Sequence, residues 1–192
     1  MMNIRNIDIE RTFCLSGMLN FTRYVFRKKT GNKFIIGEHH RIICDALDKV
    51  VKGDIKRLII NIAPRYGKTE LAVKNFIAYG LALNPKSKFI HLSYSDDLVL
   101  DSSKEINTIV RSDYFQRLFP ESVTDSTNAK KWYTNVGGGL YAVSSAGQVT
   151  GFGAGQIDDP DDKEEKEINV SNVVVGDIIK LNAGTIIPAD LR

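Results

Sequence analysis

No stretch of this chain reaches the roughly 18 consecutive apolar residues that a membrane-spanning helix needs, so no membrane partner is expected. The N-terminus, running from Met1 to Asp8, lacks the short apolar core of a secretory leader. Cysteine is scarce. Cys14 and Cys44 lie far apart within apolar helical patterns and have no metal-ligand spacing, so both read as buried, reduced thiols. Together these features set the expectation of an intracellular protein. At 192 residues, with 43% hydrophobic and 26% charged residues, the chain is long enough for one good core but short for two full domains.

Net charge is small, at +3, but it is unevenly spread. Residues 158–167 hold seven acids and two lysines, and residues 168–192 balance to zero, which leaves +8 on residues 1–157. A basic body of this kind suits a polyanion such as DNA, and scattered solvated lysines would produce the same sum.

The most informative segment runs from Arg57 to Glu70. Leu58 to Ala63 is apolar apart from Asn61, which suits a strand buried on both faces of a parallel sheet. Pro64-Arg65-Tyr66-Gly67-Lys68-Thr69-Glu70 follows, and then Leu71, Ala72, Phe76, Ile77 and Ala78 at helical spacing. Strand, loop and helix in this order form a phosphate-binding loop. Loop amides cradle the phosphates, Lys68 reaches the outer ones, and the Thr69 hydroxyl ligates Mg²⁺. The nucleotide implied is ATP. One departure from G-x-x-x-x-G-K-[ST] is Ile62, which stands where the first glycine belongs.

Elsewhere the periodicity predicts helices over 9–28, 38–51, 68–83 and 96–110, with a turn at Gly31-Asn32. Strands are expected at 57–62 and 88–93, and a hairpin joins 131–134 to 139–144. Alternating strands and helices imply a parallel α/β sheet. After Gly155 the composition changes. Residues 157–167 read as an acidic linker, and residues 168–192 form a β-rich tail with turn signals at Gly176-Asp177 and Ala183-Gly184.

The glycine-poor loop from Ala63 to Glu70 resembles the deviant Walker A of tailed-phage terminase large subunits. The resemblance extends to Phe21–Phe26, Glu38-His39-His40, Phe89–Leu98, Arg111–Pro120, Trp132 and Ala146–Gly155, and so covers about residues 15–156 in one consistent order. It implies a P-loop NTPase-type parallel sheet flanked by helices, truncated, over residues 1–156. The activity implied is ATP hydrolysis, coupled in the intact protein to DNA packaging in the host cytoplasm. Double-stranded DNA, a terminase small subunit and a portal protein are the partners implied. The carboxylate-rich nuclease of that family is not recognisable here, so DNA cleavage is not expected. The tail resembles the start of the actuator domain of P-type cation pumps, through Val175-Gly176-Asp177-Ile178 and Ile187-Pro188-Ala189-Asp190.

The terminase resemblance also assigns roles within the site. Arg65 is an internal finger on the γ-phosphate, against the plainer reading of a surface arginine. Glu70 belongs to the loop, but an ordinary first-turn acid is its simpler role. Ile157-Asp158-Asp159-Pro160 is a Walker B candidate, with Asp158 on Mg²⁺ and Asp159 orienting water. The glycine-rich Gly153–Gln156 before it argues against a buried strand there. On that argument the true Walker B was lost at the junction with the tail. His39 and His40 read either as helix-start residues or as groups near the nucleotide base. Tyr94, Ser95 and Asp96 read as contacts at the sheet edge, or in the case of Ser95 or Asp96 as a helix cap. Other readings stay open: a nucleotide- or DNA-binding remnant without turnover, a helicase-like P-loop ATPase, and a fragment of a cation pump.

Overall fold

The computed structural model describes residues 4–93, 95–144 and 154–158. It shows a mixed α/β fold. The first helical region is two helices, α1 (Ile4–Leu15) and α2 (Met18–Thr30), where one helix over 9–28 was expected. The break at Ser16-Gly17 is held from a distance, because the Met18 amide donates to Asp48 Oδ1 at 2.9 Å. A Cβ on Gly17 would come within 3.1 Å of that carboxylate, so glycine is what lets Asp48 approach. Asp48 lies on α3 (Glu38–Lys52), which agrees with the expected helix. Gly31 closes α2 at the expected turn.

Residues 68–83 are helical throughout, as expected. A π-helical stretch, Glu70–Asn75, leads into α4 (Phe76–Leu83). Ile77, Ala78, Tyr79, Leu81 and Ala82 are all buried, which makes α4 a core helix with little polar face. The chain then turns at residues 84–87 into β1 (Lys88–Ser93), the strand expected at 88–93. Phe89 packs on Gly80, where a Cβ would lie only 2.4 Å from the ring.

α5 (Asp96–Arg111) and α6 (Asp113–Leu118) follow, and then β2 (Lys131–Tyr133) and β3 (Gly139–Ser144) form the expected antiparallel hairpin. The last described strand is β4 (Ala154–Asp158). The sheet order is β2-β3-β1-β4, with β1 parallel to both β3 and β4.

Two stretches differ from what local propensity suggests. Residues 57–62 join no ladder in this sheet, and none of residues 57–63 exchanges a backbone hydrogen bond with another described residue. Their side chains alternate: Leu58, Ile60 and Ile62 pack on the core while Ile59 is 87% exposed. One face is buried, not both. In the other case, Ala154–Asp158 forms a strand at the edge of the sheet, where parallel pairing with β1 supplies the order that local propensity does not.

The core gathers around Phe21 of α2. Its ring meets Tyr79 at 5.3 Å and Phe115 and Phe119 at 6.4 Å. Trp132 is buried and its indole donates to Ser103 Oγ on α5 at 3.1 Å, tying the hairpin to the helical layer. Cys14 and Cys44 are buried free thiols, and burial pushes both up to about 12.

Candidate nucleotide-binding loop

The loop between the half-packed segment and the 68–83 helix turns sharply at residues 64–67. Arg65 has φ 69° and Gly67 has φ 78°. Gly67 takes this left-handed conformation at no steric cost. Arg65 does not, and among the described residues it is the one non-glycine with positive φ. Left-handed residues followed by helical ones turn successive amides toward one side, a concavity suited to an anion. Lys68 and Thr69 open the helix directly behind it, and the Leu71 amide donates to Gly67 O at 2.9 Å. The positive end of the helix dipole therefore faces the loop.

The start of α3 forms a wall beside this loop. The Gly37 amide donates to His40 Nδ1 at 2.8 Å. Burial, followed by the neighbouring His39, lowers the His40 pKa, so the ring is neutral near pH 7. Nδ1 accepts, so the proton sits on Nε2. The His40 ring lies between Phe34 (4.9 Å) and His39 (3.8 Å), and His39 meets Tyr66 edge-on at 5.3 Å. A Cβ on Gly67 would lie 3.8 Å from His40 Nε2. This contact was not legible in the sequence, where the only signal was the His39-His40 pair at a helix start.

Glu70, in the first turn of the helix, pairs with lysines of the helical layer. It sits 3.7 Å from Lys74 and 3.9 Å from Lys29, and those lysines also hold Glu105 of α5 at 2.7 and 2.9 Å. Burial alone would raise Glu105, but hydrogen bonds from Lys74 and Lys29 keep it below its ordinary value. This network ties the π-helical stretch to α2 and α5.

Asp158 is the last residue of β4 and stands in register with Ser93, at the C-terminal end of β1. Asp158 thus stands at the C-terminal edge of the parallel strands β1 and β4. Asp159 lies outside the described residues, as do Tyr94 and the tail assigned to 168–192. Ser95 is the N-cap residue of α5, where its carbonyl accepts from Val99 at 3.1 Å, but its side chain makes no capping bond. Asp96 is exposed in the first turn. Pro64, Arg65, Tyr66, Gly67, Lys68 and Thr69 come together as one loop.

Residues 156–192 match the P-type ATPase actuator domain. This agrees with the resemblance read in the tail, and it spans only the end of the chain. No curated protein and no solved structure matches the chain. Among the described residues, no helix is long and apolar enough to cross a membrane, and no group of three or more His, Cys, Asp or Glu could hold a metal ion.

Proposed function

We propose that residues 64–69 bind the phosphates of ATP, within a P-loop ATPase portion of the terminase large-subunit type. The observation that carries this reading is the strained Arg65 beside a left-handed Gly67, immediately before a helix that opens with Lys68-Thr69. Backbone strain of this kind costs about 1–3 kcal/mol and persists where the conformation itself is used. Lys68 contacts the outer phosphates and Thr69 holds Mg²⁺, with Asp158 at the end of β4 as the acid on the metal side. Arg65 neutralises charge on the γ-phosphate. The basic excess on residues 1–157 supports double-stranded DNA as the polymer partner.

A second reading, binding without turnover, is favoured by the Leu58–Ile62 segment. Because that segment is not hydrogen-bonded into the sheet, Lys68 and Asp158 are not fixed against each other through adjacent strands. Positioning is nearly all of phosphoryl-transfer catalysis. A cation-pump fragment has support only in residues 156–192.

The test is nucleotide binding and turnover of the purified chain, with and without double-stranded DNA. The expected outcome is MgATP binding with turnover well below about 1 s⁻¹, the low end of competent enzymes. A DNA-stimulated rate at or above that level, abolished by Asp158→Asn, supports the motor ATPase over the non-hydrolysing reading. Absence of any ATP binding sinks both.

A further inference from the structure

The geometry points to His40 as a phosphate-binding residue: its Nε2–H, beside Gly67, donates to a phosphate oxygen seated in the 64–69 loop. This rests on the phosphate-loop reading and adds to it a donor from outside the motif. Three observations carry it. The Gly37 amide occupies Nδ1 at 2.8 Å, which leaves Nε2 as the nitrogen that carries the proton. Phe34 and His39 pack against the ring with centroids at 4.9 and 3.8 Å, which restricts how it can turn before any ligand arrives. Nε2 then stands 3.8 Å from the position a Gly67 Cβ would take, about one atom's remove from the loop residue that precedes Lys68.

A neutral donor suits this place. Lys68 and the helix dipole already supply positive character, and an imidazole N–H adds direction without adding charge. Two side chains separate the functions of the two ring nitrogens. Asparagine places an acceptor near Nδ1 and keeps the Gly37 contact but has nothing at Nε2. Glutamine reaches the Nε2 position with an amide donor.

The experiment titrates the full chain, as wild type and as His40→Asn, His40→Gln and Lys68→Ala, with MgATP and with inorganic triphosphate. Thermal midpoints are recorded for each protein. His40→Asn is expected to lose roughly tenfold in affinity for both ligands, the scale of one hydrogen bond, with its midpoint little changed. His40→Gln is expected to stay within about threefold of wild type, by the same reckoning. Unchanged triphosphate affinity in His40→Asn overturns the inference, as does equal loss in both variants with a lowered midpoint. A loss for ATP but not for triphosphate also overturns it, because the contact would then be with the base. If His40→Asn does not fold, the wild-type chain decides: the His40 Nε2 resonance must move when triphosphate is added, and a static resonance overturns the inference. Unchanged binding in Lys68→Ala brings down the phosphate-loop reading itself, whereas weakened binding there with a normal His40→Asn brings down only this donor.

Discussion

Arg65 at φ 69° and His91 in the middle of β1 are two residues whose conformation or burial runs against their chemistry. Arg65 belongs to the 64–67 turn, and on the proposed reading its strain serves the phosphate site. His91 is fully buried, and neither ring nitrogen has a hydrogen-bond partner among the described residues. Burial lowers its pKa from 6.5 to about 4. The unfolded chain therefore takes up a proton below about pH 6.5 that the folded chain refuses until about pH 4. Stability should fall across that window as pH drops, by up to about 3 kcal/mol from this group. Denaturant melts from pH 7 to 4 should show a shallower loss in His91→Leu than in wild type; equal slopes would mean that His91 finds a partner. At this scale the sequence was partly legible. Gly67-Lys68-Thr69 announces itself because the motif is local. The role of His40 and the isolation of His91 depend on neighbours that arrive only with the fold.

At the scale of elements, local signals held where they were strong and failed where a distant residue decided. The helices starting at Glu38, Lys68 and Asp96 and the hairpin around Gly137-Gly138-Gly139 follow periodicity and turn chemistry. The α1–α2 break depends on Asp48, 30 residues from the amide it caps, and no local pattern reveals it. Leu58–Ile62 looked like a central strand because it is nearly all apolar. The structure packs only alternate residues and leaves Ile59 87% exposed. Ile59→Ser should therefore change stability by no more than about 0.5 kcal/mol, the ordinary scale for a surface position. A loss of about 2 kcal/mol or more would mean that the segment is buried on both faces, as a central strand would be. β4 shows the reverse case, where pairing with β1 orders a stretch that propensity disfavours.

Across the whole molecule, a basic body carries the 64–69 turn and helix start, walled by the start of α3 and flanked by the Lys29–Glu70–Lys74–Glu105 network. The mixed α/β class was legible from alternating strands and helices. The strand order was not, because register is chosen by long-range pairing. The central claim is that the loop binds phosphate, and the measurement that tests it most directly is MgATP affinity in the wild-type chain against Lys68→Ala. Removing this charge-assisted contact should weaken binding by roughly ten- to a hundredfold, equivalent to about 1.5–3 kcal/mol. Equal affinity in the two proteins would contradict the account.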